Sequence, residues 1–166
     1  AALLAAARDS APDAYLIYKP HPDVASGNRE GAVPQNVLDY CVNETVEDAD
    51  IIDVLEAVDG VHTMTSLTGF EALLRGKAVT THGMPFYAGW GLTSDRCALP
   101  RRGRDLKLDA LVYGLLCVYA RYVNWPAGSG HSPEALVTDI ALSAKSSKIK
   151  AGPFTPVSRF ARKVVY

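Results

Sequence analysis

The chain has 166 residues, 48% of them hydrophobic, and 17 basic against 18 acidic side chains leave a formal net charge of −1. That length suits one domain with a sizeable core, and the balanced charge offers no general attraction to nucleic acid or to an anionic membrane. Three scattered cysteines (Cys41, Cys97, Cys117) include no CxxC pair, which argues against a disulfide framework or zinc site and for a reducing compartment.

The opening "AALLAAARDSAPDA" lacks a basic leader and begins mid-helix without a Met. It reads as part of a longer protein, with no secretory signal. Residues 1 to 8 suit a helix. "AYLIYK" is a short apolar run bounded by "APD" and "PHP", the pattern of a buried strand. "ASGNREG" reads as a loop and "VLDYCVN" as a second strand. In "DADIIDVLEAVDG", Ile51, Ile52, Val54, Leu55 and Val58 alternate with acids before a glycine, as in an amphipathic helix with its stop signal. "VHTMTS" reads as a third strand, "TGFEALLRG" as a short helix ended by Gly76, and "KAVTTHG" as a fourth strand. Strands and helices alternating over short connections predict an α/β fold, an open parallel sheet with helices on both faces.

"MPFYAGWGLTSDRCALPRRGRD" follows as a long loop, and residues 106 to 122 suit a helix. The longest apolar run, "ALVYGLLCVYA", is too short to span a bilayer. After "NWPAGSG", a helix over "SPEALVTDIALSAK" is announced by Ser132 as cap, Pro133 in the first turn and Glu134 behind it. Residues 1–140 form the expected globular lobe. Residues 141–166 contain no acid and six cations, and "VSRFARKVVY" sets Val157, Phe160, Val164 and Val165 near one helical face. Such a basic amphipathic segment suits an anionic membrane surface or a crossing to another lobe.

Ligands of open parallel sheets bind beyond the carboxyl ends of the strands. His21 stands there, between Pro20 and Pro22, with Lys19 beside it. The prolines stiffen the backbone around the imidazole, which suits either a hydrogen bond to a phosphate or an ordinary histidine in a proline turn. "TSLTGFEALLRG" places Thr65, Ser66 and Thr68 at a helix start, where free N–H groups and the helix dipole favour an anion. The plain alternative is Thr68 as an N-cap. Glu71 then serves as a capping-box acid reaching back to Thr68 or as an acceptor for a ribose diol. The aromatic loop "HGMPFYAGWGLT" closes over a ligand, packs a neighbouring domain or folds back on the core. The five cations between Arg96 and Lys107 form a solvated face or meet an anionic partner. His21, His62, His82 and His131 have no i, i+4 pairing, so no metal site is expected.

Residues 15 to 125 resemble the KpsC family of capsule polysaccharide synthesis proteins, through "KPHPDV", "VHTMTSLTGFEALLRG", "GMPFYAGWGLT" and "YARYVNWPAG". The resemblance implies a retaining β-Kdo glycosyltransferase of the two-lobed GT-B kind, the chain supplying the Rossmann-like C-terminal lobe. It implies the donor CMP-Kdo (Kdo being 3-deoxy-D-manno-oct-2-ulosonic acid), a lipid-linked Kdo acceptor, no metal or other cofactor, and no nucleic acid partner. It also implies a cytoplasmic place at the inner membrane of a Gram-negative bacterium, near the capsule export complex. Substrate-binding residues carried over are His21, Pro22, Thr65, Ser66, Thr68 and Glu71; Lys19, Gly83, Pro85 and Tyr87 join them as candidates, while the catalytic residues are expected on the N-terminal lobe of the parent protein. Alternatives are a sialyltransferase, an epimerase-like nucleotide-sugar enzyme, or a non-catalytic scaffold domain of the capsule assembly complex.

Overall fold

A computed structural model describes residues 1–28, 30–124, 129–146 and 162–166. The chain forms two compact units, 1–105 with 152–166 and 106–151. The larger runs α1 (Ala2–Ser10), β1 (Tyr15–Tyr18), α2 (Pro22–Ala25), α3 (Gln35–Cys41), β2 (Glu44–Thr45), α4 (Ile51–Ala57), β3 (Gly60–Thr63), α5 (Leu67–Leu74), β4 (Ala78–Thr81) and β5 (Ser94–Asp95). The smaller holds α6 (Leu108–Tyr113), which continues as a π-helical stretch Gly114–Tyr119, an antiparallel pair β6 (Tyr122–Asn124) and β7 (Ser129–His131), and α7 (Pro133–Ser146). Ser132 caps α7 as its sequence implies, its Oγ accepting from the Ala135 N–H at 3.2 Å. The last strand, β8 (Arg162–Val165), returns to the larger unit.

The six strands of the larger unit are all parallel, in the order β2–β1–β8–β3–β4–β5. All four residues of β3 are buried, as are Leu16 and Ile17 of β1, so both faces of the sheet are covered, as a parallel sheet requires. On one face Leu16 and Val165 pack with Leu4 and Ala7 of α1 and Cys41 of α3. The connections leading from β2 to β3 and from β3 to β4 run the other way across the sheet, so right-handed crossovers place α4 and α5 on the opposite face. The expected α/β architecture is therefore present.

Local chemistry explains the boundaries. Asp50 caps α4 by accepting from the Ile52 N–H at 2.7 Å. Gly76 takes φ +68° after α5, and its N–H and that of Lys77 meet the Leu73 and Ala72 carbonyls at 3.0 Å each. Arg8 ties α1 to α3: its guanidinium donates to the carbonyls of Cys41 (3.0 Å) and Ala14 (2.8 Å) and to Asn43 Oδ1 (2.7 Å).

Three expectations are corrected. "VLDYCVN" is mostly the helix α3, because Val37, Leu38 and Cys41 share a helical face that packs on the α1 cluster; only Glu44 and Thr45 pair with β1. The long loop after β4 contains the edge strand β5, held where Thr81 Oγ1 donates to Asp95 Oδ1 at 2.7 Å. The basic C-terminal segment is not a helical face at Val164 and Val165: both are fully buried in β8, hydrogen-bonded between β1 and β3. Two consecutive buried valines suit a central strand covered on both faces. Val157 and Phe160 lie outside the described residues.

The aromatic loop leans on α5. Phe70 meets Phe86 edge-on at 5.1 Å between centroids, and Tyr87 is fully buried behind the helix. A Cβ on Gly69 would stand 2.7 Å from Tyr87 Cζ. Gly69→Ala is therefore expected to destabilise the fold by about 1–3 kcal/mol through overpacking, read as a lower urea midpoint; an unchanged midpoint would contradict this seating of the phenol.

Candidate functional site

The chain moves outward from β1 to β2 in one direction and from β3 to β5 in the other. Such a reversal opens a crevice at the carboxyl edge of a parallel sheet. A cleft of about 660 Å³ lies there, inside the range of roughly 300–1,000 Å³ usual for small-molecule sites. Its polar lining comes from the ends of three strands: Lys19 and His21 after β1, Thr65, Ser66 and Thr68 after β3, and Tyr166 after β8, with Glu71 of α5. Tyr18, Val24, Val33 and Ile51 supply apolar wall.

His21 directly precedes α2, whose first helical residue is Pro22. The Asp23 N–H donates to His21 Nδ1 at 3.2 Å. The Asp23 carboxylate also lies 3.5 Å from that nitrogen, so Asp23 engages Nδ1, and among the described residues no hydrogen bond engages Nε2. With its side chain 44% exposed, the ring is available as a donor. The Tyr166 ring stands edge-on to it at 6.2 Å.

Ser66, not Thr68, caps α5. Its Oγ accepts from the Thr68 N–H at 3.2 Å, and its hydroxyl lies 3.1 Å from Thr68 Oγ1. The start of α5 therefore presents two hydroxyls to the cleft, while the Ser66, Thr68 and Gly69 N–H groups are taken up by Thr63 Oγ1, Ser66 Oγ and the Ser66 carbonyl. With the cap at Ser66, Glu71 is the fifth helical residue, and the first turn carries no acid. A capping box needs its acid at the third helical position, so that alternative is corrected; Glu71 faces the cleft instead.

Lys19 lines the cleft yet is only 5% exposed. Its ammonium donates to the Glu47 carbonyl at 2.9 Å. Burial lowers its pKa, while Asp48, Asp50 and Glu47 pull it back up. Gly83, Pro85 and Tyr87, expected to bind substrate, do not line the cleft. A Cβ on Gly83 would sit 2.8 Å from the Met64 carbonyl, so its bareness lets the exit of β4 approach the turn after β3. The Pro85 carbonyl accepts from Arg102. The Tyr87 hydroxyl donates to the Ser66 carbonyl from behind, and burial pushes its pKa up to about 12 against a hydrogen bond with Thr63. These three residues shape the turn.

Sequence reasoning missed Tyr166. Its N–H donates to the His62 carbonyl at 2.9 Å, extending β8 along β3. Burial raises its phenol pKa, a hydrogen bond with Thr68 lowers it, and Glu71 and Asp23 raise it. The "KVV" run before it is a strand signal, but nothing local indicates that this strand enters the centre of the sheet.

A family model described as "Capsule polysaccharide biosynthesis protein" matches residues 1–124. The chain belongs to this family. It is 54% identical over 122 residues to the capsule polysaccharide modification protein LipA of Neisseria meningitidis serogroup A, covering 74% of this chain and 17% of that protein. The lipopolysaccharide-processing protein LpsZ of Rhizobium meliloti is 46% identical over 132 residues, 79% of this chain and 30% of LpsZ. Among solved structures, the β-Kdo 2,7 transferase of Thermosulfurimonas dismutans KpsC superposes with a TM-score of 0.76 at 40% identity, covering 86% of this chain and 46% of that one. The β-Kdo 2,4 transferase of the same KpsC gives 0.71 at 31% identity, covering 84% and 43%. The chain thus spans less than a third of these curated relatives and less than half of each solved chain. Among the described residues, no helix is long and apolar enough to cross a membrane.

In this member of the capsule family a second polar cluster lies beneath the sheet edge. Histidines far apart in sequence meet across β3 and β4: His62 Nδ1 is 3.2 Å from His82 Nε2. His62 is 2% exposed. Burial first, then Lys163, His82 and Arg96, depress its pKa from 6.5 to about 4; burial and Arg96 lower that of His82. The native state therefore binds fewer protons than the unfolded chain between pH 6.5 and 4, and stability falls as pH drops through that window. We expect a loss of up to about 3 kcal/mol from His62, seen in urea midpoints at pH 7.5, 5.5 and 4.5. A His62→Gln variant should show a flatter profile; equal slopes in both proteins would count against this assignment.

Proposed function

We propose that this chain is the donor-binding lobe of a Kdo transferase, and that the cleft holds the CMP part of CMP-Kdo. One observation carries the reading: the imidazole after β1 and the capped start of α5 after β3 line the same cleft at the reversal of strand order. A phosphate there would accept from His21 Nε2–H, from the Thr65 hydroxyl, from the one outward proton of the Ser66–Thr68 hydroxyl pair and from the Leu67 N–H. Thr68 holds the Ser66 hydroxyl in place. Glu71 would accept from the ribose hydroxyls. Lys19 would act by fixing the loop that carries Glu47. The likeness to two Kdo transferases supports the sugar.

On this reading the acceptor is a lipid-linked Kdo glycan, and the enzyme works on the cytoplasmic side of the inner membrane. The groups that activate the acceptor come from the half of the protein beyond this chain. Sugar transfer requires them within about 3–3.5 Å of the reacting centre. The isolated chain would then bind CMP weakly and transfer no Kdo. Hydroxyl and N–H donors suffice for one phosphate, so EDTA should leave CMP affinity unchanged.

Calorimetric titration with CMP tests the site. His21→Ala removes a hydrogen bond to a charged group, worth about 1.5–3 kcal/mol, so affinity should fall roughly tenfold or more. Glu71→Gln should weaken CMP more than 2′-deoxy-CMP. Unchanged CMP binding by His21→Ala, or equal effects of Glu71→Gln on the two nucleotides, would remove the corresponding role.

A further inference from the structure

We propose that the loop after β4 builds a second site, one that takes an acidic sugar. The loop is held by its own contacts. The Arg102 guanidinium donates to the carbonyls of Pro85 and Ala88 and lies 5.5 Å from the Trp90 ring centroid. Trp90 Nε1–H donates to the Phe86 carbonyl at 2.8 Å. Asp95 accepts from the Gly89 N–H at 2.7 Å and from Thr93 at 2.6 Å. Gly89 has φ +76°, and a Cβ there would press on Leu99 and Arg102. The loop is thus closed by design of its sequence, and the indole is fixed in place.

This closure leaves a concavity of about 470 Å³ lined by Met84, Trp90, Leu99, Pro100, Arg101 and Arg102. No carboxylate lines it. Arg102 is committed to the loop, whereas Arg101 is exposed and has no ion pair or hydrogen bond among the described residues. An indole plane accepts the C–H face of a ring, and a free guanidinium accepts a carboxylate in bidentate fashion. A pyranose bearing a carboxylate satisfies both. The site adjoins the first one in the chain: Gly83 packs on Met64, which lines the cleft, and Met84 is the next residue. Resting on the donor reading of that cleft, the second site would hold an acidic sugar residue of the glycan being extended.

Two-dimensional NMR of the 166-residue chain tests both sites at once. The methyl β-glycoside of Kdo should shift the Trp90 indole N–H, assigned through Trp90→Phe, and saturate in the millimolar range. Arg101→Glu should weaken that response at least tenfold and leave CMP-induced shifts at Ser66 and Thr68 unaltered. An indole silent to the Kdo glycoside would overturn the proposal, as would equal shifts from a neutral methyl mannoside or from inorganic phosphate. A responding indole beside a cleft silent to CMP would retain this site and remove the donor reading.

Discussion

The hydrogen bond from the Tyr87 hydroxyl to the Ser66 carbonyl joins the parts of this structure that matter for binding. Ser66 is the hinge between β3 and α5, and its hydroxyl caps the helix from the cleft side. Its carbonyl is gripped from the core side by a phenol with no exposed surface. A buried polar group left without a partner costs free energy, so each fixes the other. Two glycines make the approach possible: Gly69 leaves room for the ring and Gly83 brings the exit of β4 against the turn. The aromatic loop therefore serves as the back wall of the turn.

The electrostatics of the cleft follow from burial. Lys19 spends its ammonium on a backbone carbonyl, and the His62–His82 pair below is held towards the neutral form by burial and neighbouring cations. On the donor-site reading proposed above, the attraction for an anion would rest on the hydroxyls, the Leu67 N–H and the His21 ring. Fixed dipoles of this kind need no reorganisation when a ligand arrives, and they discriminate by geometry as well as by charge.

Family membership and the site geometry rest on overlapping parts of the chain. The family model covers residues 1–124, which include β1, β3, α5 and the aromatic loop. The strand that completes the centre of the sheet lies beyond it, at 162–165. That strand contributes Tyr166 to the cleft, so the site described here draws on more of the chain than the shared motif region does.

Much of this was legible in the sequence because it is written in local signals. The apolar run of β1 followed by a proline-bounded histidine, the hydroxyl-rich turn before α5, the stop at Gly76 and the Ser132 cap all act over a few residues, through caps, turns and periodicity. Those signals determined the α/β class and placed His21 and Ser66 at strand ends. Other features depended on partners distant in the chain. Residues 35–41 became a helix because α1 offered a face for Val37, Leu38 and Cys41. Tyr87 left the surface because Gly69 gave it room, Glu71 became a cleft residue because the cap fell at Ser66, and His62 found His82 through strand register. The entry of β8 between β1 and β3 was the least legible step. Four residues satisfy two strand edges there, and a preference set by edges contributed from over a hundred residues away has no local signature.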